Sequence, residues 1–345
     1  MENNWRGGMI GAGAWAANQL EAWQAVTGTQ IVALCDRHPE RLQPMADRFG
    51  ISRIYRDFDD MLAHEELDFV DICTRPYSHA SLVHKSAVRN LPILCQKPFC
   101  TSLKEAEAVV EECEQAGVRL MVNENYRWQA WYRKTKELLQ EGVIGKPYQA
   151  KIQERCRATL PRFVSAQAYL ANMPKLILYE MGVHYLDTFR YLFGEPEAVT
   201  TRLHHISPLM QGEDVQIILL SYPEMTALID SSWASVPVPG WDIPLDGREA
   251  LIARLEIDGP LGTIFLGPDG ILHLYRDGDR RKWSFSDNPE VESRAAAQNH
   301  FISCLNSRAE FETSGRQTLK TMALVWSCYK SAELGKTIHT YETEP

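Results

Sequence analysis

A lysine, a histidine and a glutamate stand where they could carry out an alcohol oxidation. Lys97 follows the apolar run 92–95, which is typical of a strand. An ammonium group at a strand end can stabilise a developing alkoxide and lower the pKa of a nearby hydroxyl. Glu180 and His184 are four residues apart, so they share one face of a predicted helix. The imidazole could take the hydroxyl proton as hydride leaves carbon, although an exposed loop lysine and a core histidine are the structural alternatives.

A glycine-rich turn near the amino terminus could bind the hydride acceptor. It lies between a short apolar strand and a predicted helix, which is the context that a dinucleotide fingerprint requires. Gly11 would make the tight turn, Gly13 would let the backbone approach a pyrophosphate, and Ala16 replaces the third glycine. Asp36, after the next strand, would bind the adenosine ribose and favour NAD, while Arg37 keeps NADP possible.

Further cofactor contacts are predicted at the ends of later strands. Thr74 and Pro76 follow one strand, and Gln96 and Lys97 follow another. His79 either begins a helix near the cofactor or has a structural capping role. The full predicted cofactor-binding set is Gly11, Gly13, Ala14, Trp15, Ala16, Asp36, Arg37, Thr74, Pro76, His79, Gln96 and Lys97.

Strand and helix signals alternate through the part of the chain that carries these motifs. Apolar runs at 31–35, 69–73, 92–95 and 118–122 are separated by helical segments. Such βαβα alternation predicts a doubly wound parallel sheet, in which the carboxyl ends of the strands face a common crevice. Residues 1–124 are therefore predicted to form a Rossmann-type NAD(P)-binding domain.

The pattern changes after residue 124. Helices are predicted at 133–140 and 176–193, and the second of them carries Glu180 and His184. Strand-like segments fill most of 198–285, and two helices complete the chain. Consecutive strands predict a C-terminal α+β domain, residues 125–345, with a large open, mainly antiparallel sheet.

Composition excludes several classes of partner. The net charge is −9 without a basic run, which argues against nucleic acid and anionic membranes. No apolar stretch approaches the length of a membrane span, and the first residues lack a secretion signal. The eight cysteines form no Cys-x-x-Cys pair, so we expect buried thiols in a reducing, cytoplasmic setting and no metal site.

In this order the motifs resemble those of the Gfo/Idh/MocA family (glucose–fructose oxidoreductase and inositol dehydrogenase-like proteins) over essentially the whole chain. The matching segments are 11–16, 74–79, 96–98, 125–128, 142–145, 180–187 and 314–315. The resemblance implies NAD(P)-linked hydride transfer between nicotinamide and a secondary alcohol or ketone of a sugar, polyol or related small molecule. It also implies a homodimer or homotetramer assembled through the large sheet.

The same resemblance assigns roles to individual residues. Lys97 is the catalytic lysine, His184 transfers the proton and Glu180 occupies the acidic position beside it. The predicted substrate-binding residues are Tyr126, Arg127, Glu180, His184 and Trp241, with Trp128, Trp131 and Asp242 as further candidates.

Three departures separate this chain from the family pattern. Gln96 replaces the usual glutamate, Glu180 is one methylene longer than the usual aspartate, and 174–176 replaces a glycine pair. The last change points to a substrate away from those of the best-known members. Two alternatives to a dehydrogenase are a glycosidase that uses tightly held NAD for transient oxidation and a non-catalytic dinucleotide-binding regulator.

Overall fold

Strands and helices alternate in the first part of the chain. The computed structural model describes residues 4–157, 168–235, 253–286 and 288–340. The first elements are β1 (Trp5–Ile10), α1 (Ala14–Trp23), β2 (Thr29–Cys35), α2 (Pro39–Phe49), β3 (Arg53–Tyr55), α3 (Phe58–His64), β4 (Phe69–Ile72), α4 (Pro76–Val88), β5 (Ile93–Gln96), α5 (Leu103–Gln115) and β6 (Leu120–Asn123).

The six strands form one parallel sheet in the order β3-β2-β1-β4-β5-β6. Every residue of β4, β5 and β6 is buried, as expected where helices cover both faces of a parallel sheet. The chain runs outward from β1 to β3 and then returns to β4 on the other side of β1. A topological switch point therefore lies between β1 and β4, and the predicted doubly wound sheet is confirmed.

Local sequence signals set the ends of the helices around this sheet. Pro39 begins α2, and Gly50 ends it with a φ of 69°. At the start of α5, the Ser102 hydroxyl accepts the N–H of Glu105 at 3.2 Å. The Glu105 carboxylate in turn accepts the N–H of Thr101 at 2.8 Å. These reciprocal bonds satisfy amide donors that have no partner within the helix.

A mixed sheet of nine strands dominates the second part. Its order is β14-β13-β12-β11-β7-β10-β9-β8-β15, and among its described strands only β7 and β10 pair in parallel. The predicted mainly antiparallel sheet is therefore confirmed. The strands are β7 (Gln149–Arg155), β8 (Ala198–His204), β9 (Val215–Ser221), β10 (Thr226–Ser232), β11 (Arg254–Gly259), β12 (Gly262–Leu266), β13 (Leu272–Arg276), β14 (Asp279–Trp283) and β15 (Ile338–His339).

The segment predicted as one helix at 176–193 has two geometries. A π-helical turn, Leu178–Gly182, precedes α8 (Val183–Phe193). Such π turns are rare and occur frequently at functional sites. The other helical elements are a 3₁₀ turn (Tyr126–Trp128), α6 (Ala130–Gln140), α7 (Ala168–Ala171), α9 (Pro289–Ser307) and α10 (Gly315–Leu334).

One face of the nine-stranded sheet lies in the core. Along β9, Ile218 and Leu220 are fully buried, whereas Ile217 and Leu219 are 42% and 39% exposed. We call the side that carries Ile217, Leu219 and Tyr275 the outer face. In the described ranges, no helix is long and apolar enough to cross a bilayer.

The chain divides into two compact units that do not follow the predicted boundary throughout. One comprises Met1–Asn125 and Val291–Lys320, and the other comprises Tyr126–Glu290 and Thr321–Pro345. Segment 291–320, which was predicted to lie in the second domain, thus clusters with the first unit. Segment 291–320 joins the first unit because the Gln298 amide donates to the Gln19 carbonyl at 3.1 Å, and the Phe301 ring packs against Phe69 with centroids 5.5 Å apart.

Candidate functional site

The glycine-rich turn after β1 presents bare backbone. Gly11 has a φ of 110°, and a Cβ there would lie 2.1 Å from the Cys73 carbonyl oxygen, so only glycine fits. Gly13 precedes α1, and apart from its chain neighbours no described residue has an atom within 4 Å of the position that its Cβ would take. Ala14 and Trp15 are exposed in the first helical turn. Open space beside free amide donors at a helix start suits a pyrophosphate.

Asp36 links this turn to the end of β2. One carboxylate oxygen accepts the N–H of Ala12 at 2.7 Å, and the other accepts the N–H of His38 at 2.9 Å. The carboxylate is therefore held beside the turn, where the fingerprint expects an acceptor for ribose hydroxyls. Arg37 is exposed, and its guanidinium donates to the Tyr77 hydroxyl at 3.4 Å.

The ends of β4 and β5 carry the next predicted residues. Thr74 and Pro76 are half-buried after β4. Lys97 is half-buried directly after β5, and its peptide bond to Pro98 is cis. Gln96 is 4% exposed, and its side-chain nitrogen has no hydrogen-bond partner within the described part of the chain. A buried donor of this kind fits a ligand that presents an acceptor, so the residues of this unit fit a nicotinamide dinucleotide.

His79 contacts two backbone carbonyl groups, which fits the structural role that the sequence left open beside a cofactor contact. Its side chain is fully buried, with Nδ1 at 2.8 Å from the Phe99 carbonyl oxygen and Nε2 at 3.1 Å from that of Thr74. Burial lowers the pKa of His79, although these carbonyl oxygens oppose the shift. The imidazole thereby ties the turn after β4 to the segment that follows Lys97.

Arg294 lies beside the glycine-rich turn, and this residue was not predicted from the sequence. It is buried in α9, and its guanidinium carbon lies 5.2 Å from the centroid of the Trp15 ring. A cation over an indole face stabilises the ring's position. No local motif marks this arginine, because it comes from a helix far along the chain.

In the second unit, His184 stacks on Tyr126. The two rings are 3.9 Å apart and inclined by 12°, and the Tyr185 ring meets Tyr126 edge-on at 6.0 Å. His184 is buried in the first turn of α8. Burial, followed by the Glu290 and Glu154 carboxylates, raises the pKa of Tyr126 well above its usual value, so its hydroxyl stays protonated. One face of the imidazole is therefore covered and its plane is fixed.

Glu180 lies in the π turn and is half-buried. Gly182 in the same turn packs closely on the sheet, since a Cβ there would lie 2.5 Å from the Gln216 side-chain oxygen. The sequence signal for Glu180 and His184 was their four-residue spacing. The structure keeps both in one continuous helical segment but changes its winding between them.

Arg127, a predicted substrate-binding residue, faces a protein carboxylate. Its Nε and Nη2 each donate to Asp187 at 2.7 Å, and both residues are buried. Burial alone would raise the pKa of Asp187. The Arg127 guanidinium, with Arg190 and the Thr321 hydroxyl, outweighs burial and holds that pKa below its usual value. This bidentate pair fixes the chain immediately after Tyr126 to α8.

The remaining aromatic candidates separate into three cases. Trp241, like Asp242, lies outside the described residues. Trp131 is 2% exposed within the core of its unit, so it is not a platform for a sugar. Trp128 is covered by the Arg133 guanidinium, whose carbon lies 3.7 Å from the ring centroid. No cluster of three or more His, Cys, Asp or Glu side chains suited to a metal occurs in the ranges that the structure describes.

Comparisons with known proteins agree with this architecture. Residues 5–124 match the model of the oxidoreductase family with an NAD-binding Rossmann fold, and residues 132–264 match the GFO/IDH/MocA C-terminal domain. The D-apiose dehydrogenase of Paraburkholderia graminis is 38% identical over 98% of this chain and 90% of its own length. That of Rhizobium rhizogenes is 38% identical over 96% of each chain.

A solved structure extends the similarity to the fold. An oxidoreductase from Agrobacterium radiobacter, in complex with NAD+, L-tartaric acid and magnesium, has a TM-score of 0.90 and 35% identity. The match covers 99% of this chain and all of that one. The chain therefore belongs to the Gfo/Idh/MocA family and is an NAD-dependent oxidoreductase that acts on CH–OH groups.

Proposed function

We propose that this enzyme oxidises D-apiose, or an aldose of similar size, at a CH–OH group. The observation that carries the proposal is 38% identity to two D-apiose dehydrogenases along almost the whole chain. The sequence at 174–176, which replaces the family's glycine pair before the helix of His184, supports a substrate different from those of the best-known members.

The cofactor-binding residues act by position. The backbone amides at Gly13 and the start of α1 would hold the pyrophosphate, and the Asp36 carboxylate would accept hydrogen bonds from the ribose hydroxyls. The buried Gln96 amide donates to the nicotinamide half. When bound, NAD supplies the carbon that accepts the hydride. Arg37 and Tyr77, which are both exposed, would lie nearest a 2′-phosphate, so NADP is the second cofactor to test.

Lys97, His184 and Glu180 carry the chemistry of the substrate oxygen. The Lys97 ammonium stabilises the developing alkoxide, and the His184 imidazole takes the hydroxyl proton. Glu180 orients the sugar through its carboxylate. Tyr126 contacts the imidazole and contributes a neutral hydroxyl as a further hydrogen-bond group. Arg127 acts through its ion pair with Asp187.

The test follows reduced-nicotinamide absorbance with D-apiose, other aldoses and polyols, each with NAD and NADP. We expect stoichiometric NADH from D-apiose, and a fall in kcat/KM of about 10²–10³-fold in Lys97→Met. Lys104→Met, an exposed lysine in α5, is the matched control and should retain activity. A fully active Lys97→Met enzyme would disprove the role of the lysine, and sugar cleavage without net NADH would favour the glycosidase.

We also propose that copies of the chain associate through the outer face as a homodimer or homotetramer. Exposed apolar side chains at Ile217 and Leu219 support this, because water-exposed apolar surface favours association. All eight cysteines are buried and free of disulfides, which supports a reducing, cytoplasmic setting.

A further inference from the structure

The helical segment that carries Glu180 and His184 begins without a capping side chain of its own. Its first helical residue is Ile177, and no side chain at that start makes a capping hydrogen bond. Leu176, Ile177 and Leu178 are all fully buried. The first amides of a helix have no acceptor within the helix, and apolar side chains cannot supply one. These buried N–H groups therefore need an acceptor from elsewhere in the fold.

Glu213, which lies just before β9, accepts all three of these amides. One carboxylate oxygen, Oε1, accepts the N–H of Leu176 at 3.0 Å and that of Leu178 at 3.3 Å. The backbone carbonyl of Glu213 accepts the N–H of Ile177 at 3.0 Å. One residue from a distant part of the sequence thus caps the start of the helical segment.

Gly212 allows the two stretches of chain to approach so closely. A Cβ on Gly212 would lie 2.6 Å from the Met173 carbonyl oxygen and 3.0 Å from the Leu176 nitrogen, so a larger residue would push the stretches apart. The Gln211 N–H also donates to the carbonyl of Ala171 at 2.9 Å. The loop before β9 is therefore docked on the helical segment through its backbone as well as through the Glu213 carboxylate.

Tyr329 of α10 holds the Glu213 carboxylate in place. Its hydroxyl donates at 2.6 Å to Oε1, the same oxygen that accepts the two amides. Burial and the nearby carboxylate raise the pKa of Tyr329, so the hydroxyl stays protonated and remains a donor. The Lys175 ammonium lies 4.3 Å from the centroid of the Tyr329 ring, and a cation over the ring face stabilises the position of the ring.

A direct chain of hydrogen bonds leads from Glu213 to Glu180. Leu176 donates its N–H to the Glu213 carboxylate, and the Leu176 carbonyl oxygen accepts the N–H of Glu180 at 2.8 Å. Glu180 also lies in the π turn Leu178–Gly182, whose first amide is capped by the same carboxylate. A displacement of Leu176 would therefore displace Glu180. An error of about 1 Å in the placement of a group at an active site can reduce a rate strongly.

We propose that Glu213 is a positioning residue, which caps the amides of 176–178 and thereby fixes the backbone that carries the Glu180 carboxylate. Its kinetic consequence rests on the proposed function, in which Glu180 orients the sugar. Its structural consequence does not, because protection of the capped amides is measured without sugar or nucleotide.

The first experiment measures hydrogen–deuterium exchange of the free protein by mass spectrometry. We expect Glu213→Ala to speed exchange at 176–178 by about tenfold or more, because two of these amides lose a bond to a charged acceptor. Glu213→Gln keeps an acceptor oxygen and should restore most of the protection. Peptides from β10 should exchange as in wild type, which separates a local change from a loss of global stability. Glu333→Ala, at an exposed position of α10, is the control and should change neither region.

A milder variant keeps the test decisive if Glu213→Ala does not fold. Glu213→Asp retains the charge but is one methylene shorter, so its carboxylate should not reach both amides and their exchange should be several-fold faster. Wild-type exchange at 176–178 in folded Glu213→Ala, or in Glu213→Asp when Glu213→Ala is lost, would refute the inference.

Kinetics with the sugar that wild-type enzyme oxidises test whether Glu213 acts through Glu180. We expect Glu213→Ala to lower kcat by about tenfold or more and Glu213→Gln to recover most of it. In a Glu180→Gln background, Glu213→Ala should lower kcat by no more than about twofold, because the carboxylate that it would displace is already absent. An equal loss of kcat in both backgrounds would refute the positioning of Glu180.

Two further outcomes separate this inference from the proposed function. The affinity for NADH, measured by fluorescence titration, should be the same in wild type and in Glu213→Ala; a weaker affinity would show a change beyond the helical segment and refute the kinetic part. If wild-type enzyme oxidises no sugar, the proposed function fails, but hydrogen exchange still decides whether Glu213 caps the segment that carries Glu180.

Discussion

Replacement of Asp71 by asparagine should remove a pH dependence of stability from the nucleotide-binding unit. Asp71 is fully buried in β4, and the Trp23 indole N–H of α1 donates to its carboxylate at 2.7 Å. Burial raises the pKa of Asp71 from 3.8 to about 7, and the hydrogen bond from the Trp23 indole opposes the shift. The folded protein therefore holds this proton at pH values at which the unfolded chain releases it.

The sign and size of the effect follow from this difference. A raised pKa gives stability that is fully present below pH 3.8 and is lost as the pH rises toward 7. Each pKa unit corresponds to about 1.4 kcal/mol, so the loss across this window is about 4 kcal/mol. Asparagine has the same shape, can accept the Trp23 N–H and does not titrate. Between pH 3.8 and 7, the free energy of unfolding of Asp71→Asn should therefore rise by about 4 kcal/mol relative to that of wild type.

The measurement is urea unfolding of both proteins, followed by circular dichroism at several pH values from 4 to 8. The difference between the two free energies of unfolding isolates Asp71 from the other titrating groups. Asp47→Asn, an exposed aspartate of α2, gives the corresponding difference for a carboxylate in water. If the difference in free energy of unfolding between wild type and Asp71→Asn stays constant with pH, Asp71 is ionised in the folded protein at neutral pH. That result would refute the argument from burial.

Three other substitutions test separate parts of the structure. Asp187→Asn leaves a buried guanidinium without its carboxylate, so urea unfolding should show a loss of about 3–5 kcal/mol; a loss within error would refute a structural role for the pair. Gly182→Ala should lower the free energy of unfolding by about 1–3 kcal/mol, because the new Cβ collides with Gln216. The double variant Gly182→Ala/Gln216→Ala should lose less stability than the sum of the two single variants. If the two losses in stability simply add, that collision is excluded. Ile217→Lys should reduce the mass measured by light scattering, whereas Ile206→Lys, also exposed, should not; an unchanged mass for Ile217→Lys would refute association through the outer face.

The sequence contained enough to predict the features that depend on local stereochemistry. The turn at Gly11 needs a left-handed φ that only glycine adopts readily, so its residue type is readable without a structure. Buried parallel strands are continuous apolar runs, which placed the ends of β4 and β5 and hence Lys97. The resemblance in motif order then supplied the family and the activity.

Features that depend on partners distant in sequence were not predictable in this way. Arg127 faces Asp187, and His79 bonds the carbonyl of Phe99, so both residues have protein partners where sequence reasoning expected ligands. The four-residue spacing of Glu180 and His184 could not predict the π turn, because the spacing in sequence is the same whether the segment is α-helical or π-helical.

The division of the chain also determines when the nucleotide-binding unit can be completed during synthesis. Arg119 donates to the carbonyl of Cys304 at 2.6 Å, and the Val122 N–H donates to the carbonyl of Thr313 at 2.8 Å. Both acceptors belong to segment 291–320, which leaves the ribosome long after β6. Until then, Phe69 lacks the aromatic ring of Phe301 that packs against it. A recombinant fragment that ends at residue 125 would keep the glycine-rich turn but expose this surface, so a soluble cofactor-binding fragment should be built by joining 291–320 to it.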